Sequence, residues 1–286
     1  MTAGDVQVRA GSHTNPMSCV VCNGADAYID IDGLAAAEAG GANKKGTISL
    51  WCNVPNQTGT FSLFSLGDTD VDEILGLRVV AGKLQGINVD AATAQWTTTS
   101  TNVVIPANTW THCCLVHNGI RPTLYVNGAA VAMTDSVTTD LTEWTDGLTG
   151  LDTASIGLDY YNNVLANDLL GAVTGFKYST GALASVTADW TPAQVLAEYQ
   201  YKNGETGLIG TGTTPDLIYL SCKGTLVDTI TGGATYDGTL TNDAQYDSEY
   251  SNWTSVLRTL APLVADDLCV VSTGGGGMIA TLVNAA

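Results

Sequence analysis

Positive charge is scarce in this chain. Its 286 residues carry 10 Lys and Arg against 28 Asp and Glu, a formal net charge of -18, and only 13% of residues are charged. A protein this short of cations cannot neutralise a phosphate backbone, which excludes nucleic acid as a partner; the same deficit excludes an anionic membrane surface. No apolar run is long enough to cross a bilayer, so no membrane insertion is expected. The opening stretch, MTAGDVQVRAGSHTNP, has no apolar h-region, and no secretory signal peptide is expected from it. Histidine is reduced to His13, His112 and His117, which do not cluster; the last two lie at odd separation on one strand-like run and so face opposite ways. There is no Gly-x-Ser-x-Gly elbow and no Walker-type phosphate loop, because the glycine-rich stretch near the C-terminus lacks a following helix with Lys-Ser/Thr. The carboxylates are scattered, as on a solubilising surface whose charges repel one another.

Cysteine is present, but in a pattern that suits isolated buried thiols. Cys19, Cys22, Cys52, Cys113, Cys114, Cys222 and Cys269 are odd in number, and most sit inside apolar strand runs, where a free thiol behaves as a small buried hydrophobe. Such usage suits synthesis in a reducing compartment. Cys19-Val20-Val21-Cys22 has the spacing of a redox or zinc pair, yet no second pair accompanies it, and three residues apart on a strand the two thiols face opposite sides.

What the chain does have is enough apolar content (45%) for a core, and a rhythm. From Gly46 to Gly128 it reads GTISLWCNV, TFSLFSLGD, ILGLRVVAGKLQGI, NTWTHCCLVHNG and PTLYVNGAAV. These five runs alternate apolar with small or polar residues and close on turn signals, the pattern of half-buried antiparallel strands. Asn127-Gly128 between two apolar segments is a hairpin signal. Upstream, Ser18 to Gly33 (SCVVCNGADAYIDIDG) reads as strand, turn, strand with Tyr28, Ile29 and Ile31; the Ala/Gly-rich link Leu34 to Lys45 reads as a loop with a short helical turn at Ala35 to Ala39. Downstream, TDSVTTDLTEWTDGLTG reads as a long surface loop, Ala154 to Asn163 and Leu169 to Leu183 as further strands, and PAQVLAEYQ as a helix with Thr191 as N-cap and Pro192 at its first position.

This succession of phrases, from about Ser18 to Tyr201, resembles the laminin-G-like domains of the concanavalin A-like lectin/glucanase superfamily. The resemblance implies an all-β antiparallel sandwich of jelly-roll type. The family's opening strand, an apolar run followed by an Asp-Gly-Thr-Leu phrase, is missing from the N-terminus and reappears in DLIYLSCKGTLVDTITGGATYDGTLTN, Asp216 to Asn242, where Asp228 and Asp237-Gly238-Thr239-Leu240 match. Two arrangements account for this: circular permutation, or donation of the strand to a neighbouring subunit. Intramolecular closure carries the smaller entropic cost. The expected organisation is therefore an N-terminal arm over 1–17, a sandwich over 18–242 in which 216–242 supplies the opening strand, and a helix and assembly tail over 243–286. In that tail Tyr250, Trp253, Leu257 and Leu260 form a helical stripe, capped by Ser248 and stopped by Pro262; Gly274 to Gly277 then precede the apolar MIATLV as a flexible joint.

The resemblance also frames the chemistry. Glycosidases of this fold use paired carboxylates in a Glu-x-Asp-x-x-Glu run, which this chain lacks; the nearest text is Asp70-Val71-Asp72-Glu73. No catalytic residue is assigned and no enzymatic activity is expected. Relatives often hold calcium in a rim loop, and here Asp68, Asp70 and Asp72 alternate in one loop, with Asp159 beside Tyr160 and Tyr161 as a second rim position whose rings would stack on a sugar or pack beneath the loop. No cofactor beyond such a calcium ion is implied, and no ligand-binding residue is assigned. The expected role is a non-enzymatic virion structural protein, a capsid decoration or fibre, with other virion proteins or copies of itself as partners. The alternative is a carbohydrate-binding module of a secreted or cell-surface adhesin that recognises surface glycans, and the third reading is a divergent glycosidase.

Overall fold

A computed structural model describes residues 17–40, 43–180, 188–200, 217–220, 237–242, 244–250, 268–273 and 277–282. The chain divides into two units, Met17–Glu249 and Met1–Pro16 with Tyr250–Ala286. It runs through β1 (Met17–Asn23), β2 (Tyr28–Asp30), α1 (Asp32–Glu38), β3 (Lys45–Asn53), β4 (Thr60–Gly67), β5 (Ile74–Val80), β6 (Lys83–Asp90), β7 (Thr93–Ser100) and β8 (Thr111–Asn118). Then come β9 (Pro122–Val126), β10 (Ala129–Ala130), β11 (Met133–Thr138), β12 (Thr153–Ile156), β13 (Asp159–Tyr161), β14 (Val164–Ala166) and β15 (Leu170–Thr180). After α2 (Pro192–Gln200) follow β16 (Leu217–Leu220), β17 (Thr239–Thr241) and β18 (Gln245–Tyr250).

Apart from β13 and β14, which pair with each other, these strands make two sheets. The first has the order β10-β9-β8-β3-β15-β1-β18, with β16 also paired to β15; the second has the order β11-β7-β6-β5-β4-β12-β2-β17. Strand alternation builds the core between them. On β4, Phe64 and Leu66 point inward and Ser62 and Ser65 outward; on β15, Val173, Phe176 and Tyr178 point inward and Lys177 outward. Phe64 meets Phe176 at 5.3 Å and Tyr178 at 5.6 Å between ring centroids, which ties the middle of one sheet to the middle of the other.

The expected strand block is present but subdivided. The run ILGLRVVAGKLQGI is two strands, β5 and β6, because Ala81 and Gly82 both take positive φ (50° and 72°) and turn the chain. Between the expected runs lies β7, whose Thr-rich text gave no apolar alternation. Asn127-Gly128 does form the expected two-residue hairpin, with φ of 50° and 80°. The expected long surface loop is corrected: Met133–Thr138 is a strand paired with β7, and Trp144 is wholly buried. Its backbone explains why, since Trp96 Nε1 donates to Glu143 O (2.7 Å) and Asn88 Nδ2 donates to Trp144 O (2.6 Å), while Thr145 Oγ1 donates to Glu38 of α1 (2.6 Å). The helical turn foreseen at Ala35 begins three residues earlier, at Asp32. Helix α2 is capped as expected: Gln194 N–H donates to Thr191 Oγ1 (3.3 Å), and Gln194 Oε1 accepts the Thr191 N–H (2.8 Å).

Segments beyond residue 200 pair within the chain. β16 lies along β15 with Leu220 opposite Phe176, and β17 lies along β2 with Leu240 opposite Ile29. Ser248 and Tyr250, expected in a capped helix, belong instead to strand β18 beside β1; Trp253, Leu257, Leu260 and Pro262 lie outside the described residues. In the smaller unit β19 (Leu268–Thr273) pairs with β20 (Gly277–Leu282), so MIATL is one arm of a hairpin and Gly277 its first residue.

Two predictions follow from these connections. The β6–β7 turn places Ala91 and Ala92 at φ 44° and 63°, a left-handed conformation that costs an alanine roughly 1–2 kcal/mol. The double variant Ala91→Asn/Ala92→Gly is expected to gain about 1–2 kcal/mol, read as a higher urea midpoint at unchanged slope. A chain ending at Gln200 loses β16, β17 and β18, leaving β2 and β15 without partners at those edges, and is expected to lose cooperative thermal unfolding and to aggregate on size exclusion.

Candidate functional site

The outward face of the second sheet carries two rows of side chains, the first polar and the second mixed. In register across five strands stand Ser62, Arg78, Gln85, Thr99 and Thr134, and Gln85 Nε2 donates to Thr99 Oγ1 (2.9 Å). The next row runs Ser155, Ser65, Gly76, Ile87, Thr97 and Val137. Small hydroxyls, an amide, a guanidinium and a glycine on one side of a sheet make a shallow hydrogen-bonding surface rather than a core. Part of it is roofed by the β13–β14 hairpin. Ser65 and Ser155 hydroxyls both reach Leu158 O (2.8 and 2.7 Å), and the Ser62 N–H donates to Asn167 O (2.7 Å), so the hairpin is fastened at both ends to β4 and β12. Gln85, Thr97 and Thr99 on the neighbouring strands remain half-exposed.

At the hairpin's root Asp159 is fully buried. Its Oδ2 lies 2.7 Å from Arg78 Nε and accepts from Asn167 Nδ2 at 2.5 Å, with Ser62 beside it. Burial pushes the Asp159 carboxyl up, against the downward pull of Arg78, Asn167 and Ser62. Tyr160 and Tyr161 follow on opposite faces of β13 and are half-buried, and across the Asn162-Asn163 turn Val164 and Leu165 are exposed (48% and 51%). Arg78 and Asn167 were not foreseen. The available signal was a lone charge at outward parity inside the apolar run ILGLRVV.

The rim loop that carries Asp68, Asp70 and Asp72 is organised by its own backbone. Asp68 Oδ1 accepts the N–H groups of Asp70 (2.7 Å) and Val71 (3.2 Å), folding its own loop, and among the described residues no three Asp, Glu, His or Cys side chains converge to hold a metal ion. The rim carries instead a displaced carboxyl: burial, then the negative charges of Asp90, Asp146, Asp140 and Glu73, push Glu143 up to about 7.

The first sheet's outward face is closed. Helix α2 covers it, with Tyr199 stacked on Trp51 (5.7 Å) and Val195 packed among Cys114, Val116, Tyr125 and Trp190. Under the helix Lys177 Nζ and Glu198 Oε2 form a buried pair at 2.5 Å, and Ser49 Oγ lies 2.9 Å from His112 Nε2. A serine–histidine contact invites a nucleophile reading, but both side chains are fully buried, His112 Nδ1 has no partner among the described residues to orient the ring, and burial lowers the imidazole to about 3. His117 faces the opposite way as expected, its ring nitrogens at Lys44 O and Leu141 O (2.8 and 2.9 Å). Cys19, Cys22, Cys52, Cys113 and Cys114 are all buried, and Cys52 Sγ lies 3.6 Å from Cys113 Sγ. His13, Cys222 and Cys269 lie outside the residues whose side chains are described.

Residues 23–185 match the family model described as the concanavalin A-like lectin/glucanases superfamily, more than half of the chain. No curated protein matches the sequence. Among solved structures, the chain is similar to the CBM40 of the Ruminococcus gnavus IT-sialidase bound to α2,3-sialyllactose, at 16% identity and a TM-score of 0.50 over 65% of this chain and 98% of that one. It is also similar to a candidate carbohydrate-binding protein of Bacteroides ovatus, at 14% identity and a TM-score of 0.54 over 83% of this chain and 61% of that one. At such identities the likeness shows the fold.

The Glu143 shift has a measurable consequence. Its folded value of about 7 exceeds the ordinary 4.5, so the stability it contributes is present below pH 4.5 and is lost as pH rises through 7. Glu143→Gln removes the charge. The variant is expected to match the parent at pH 4.5 and to exceed it at pH 8 by on the order of 2 kcal/mol in urea unfolding.

Proposed function

The chain belongs to the concanavalin A-like lectin/glucanases superfamily, and from that premise we propose that it is a non-catalytic carbohydrate-binding protein that works outside cells, secreted or at a surface. The observation that carries the proposal is the open part of the second sheet beside the Tyr160–Tyr161 hairpin, where Gln85, Thr97, Thr99 and Thr134 set an amide and hydroxyls in register for a sugar's hydroxyls, with aromatic rings at the margin for its apolar face. The two similar structures, a carbohydrate-binding module seen with sialyllactose and a candidate carbohydrate-binding protein, support the same reading. The expectation of a virion decoration draws no support from them, and the glycan-binding alternative takes its place. Among the described residues no helix is long and apolar enough to cross a membrane.

We read the segment 216–242 as supplying its own sandwich, a circularly permuted order of strands. The pairing of β17 with β2 and of β16 with β15 supports this arrangement.

The test is a glycan array followed by calorimetric titration. Binding in the micromolar range, about -8 kcal/mol, is expected for at least one oligosaccharide, and Tyr161→Ala or Gln85→Ala is expected to weaken it roughly tenfold without lowering thermal stability. A folded protein that binds no glycan would refute the proposal.

A further inference from the structure

We propose that Asp159 sets the charge class of the ligand by occupying the guanidinium that the first row presents, so that the face takes neutral glycans and turns away carboxylated or sulfated ones. The proposal rests on the glycan-binding reading of this face. Arg78 stands in the first row between Ser62 and Gln85 in register, at the edge of the hairpin's roof, where an acidic sugar lying across β5, β6 and β7 would meet it. That charge is already opposed inside the protein by a buried carboxylate, although Arg78 Nη2 and Asp159 Oδ1 have no hydrogen-bond partner among the described residues. Asp159 Oδ2 lies 2.7 Å from Arg78 Nε, the Asp159 side chain is fully buried, and that of Arg78 is 13% exposed.

Three further contacts hold the carboxylate where it is. Asn167 Nδ2 donates to the same oxygen, Asn167 O accepts the Ser62 N–H, and Tyr160 N–H reaches Ser65 Oγ (3.4 Å), so the strand bearing Asp159 is fastened on both sides. An incoming anion would have to displace a buried carboxylate and leave it unpaired, which is strongly unfavourable. A neutral sugar needs no such displacement, because Gln85, Thr97 and Thr99 offer donors and acceptors at the half-exposed end of the rows.

The remaining cations do not supply a substitute. Lys44, Lys45, Arg121 and Lys177 are each paired, with Asp146, Asp189, Asp135 and Glu198 respectively. Among the described residues Lys83, at the first position of β6 opposite Val80, is the cation outside such a pair. It is two residues from Gln85 on the same strand, and it is the position through which an acidic sugar would still be drawn to this face. Against it stands the net charge of -18, which repels anionic ligands over about 8–10 Å at physiological salt.

The experiment is a matched-pair array on the full chain, setting neutral oligosaccharides beside their sialylated, uronic-acid and sulfated counterparts, with calorimetry on the pairs that bind. Neutral members are expected to bind at least about tenfold tighter than acidic ones, with little salt dependence. Asp159→Asn, which keeps the shape and removes the charge, is expected to raise affinity for the sialylated member about tenfold while its neutral counterpart changes little. Should that variant fail to fold, the wild-type ranking decides alone. A wild-type preference for acidic members overturns the inference and leaves the glycan-binding reading standing; loss of that preference in Lys83→Ala would name the residue responsible. Binding of no glycan removes both.

Discussion

A strand has two faces, and this molecule is organised by the requirement that one face of every long strand be withdrawn from water. The contact that satisfies it is the packing of β4 on β15, where Phe64 lies against Phe176 and Tyr178. Around that centre Leu50, Leu77, Trp96, Leu115 and Trp144 fill the space between the sheets, each fully buried. Burial of such side chains is worth roughly 1.5–3 kcal/mol apiece, and a one-residue slip of any strand would reverse which residues receive it. Register is thereby fixed, and with it the identity of everything on the two outer faces.

Those outer faces have opposite fates. The first is sealed by α2 through Trp51, Tyr199 and the Lys177–Glu198 pair, so its histidine, serine and cysteine become interior groups whose ordinary reactivity is suppressed. Burial drives the Cys114 thiol up and the His112 imidazole down, in each case toward the neutral form. The second face is roofed over β4 and β12 by a short hairpin and left open over β5, β6 and β7. What is open there is mostly polar in register, with Ile87 and Val137 set among hydroxyls and an amide.

Charge follows the same division. The few cations are drawn into ion pairs within the protein, while excess carboxylates gather at the loops where β4–β5, β6–β7 and β11–β12 meet, and it is burial among them that displaces Glu143. Low cation content therefore has a structural as well as a compositional meaning: the lysines and arginines that remain are chiefly partners for particular acids.

Much of the scaffold was legible because alternation and turn chemistry are local. The runs from Gly46 to Gly128, the Asn127-Gly128 hairpin and the Thr191-Pro192 start of α2 are written in adjacent residues, and the order of these phrases carries the family. β7 escaped because its outward positions are threonines and glutamine and its inward Thr98 and Ser100 are polar as well, which hides the period of two. The loop containing Trp144 was misread because its burial depends on Asn88 and Trp96, some fifty residues earlier. Tyr160 and Tyr161 stand out in the sequence, but nothing local joins them to Arg78, Gln85 and Asn167, which meet only when β4, β5 and β6 pair and the hairpin folds over. Sequence alone determined that the chain is a lectin-like sandwich poor in cations, since period, turns and composition are properties of neighbouring residues. Only the tertiary structure decided which outer face stays open and that Arg78 is opposed by Asp159, because both depend on contacts between residues far apart in the chain.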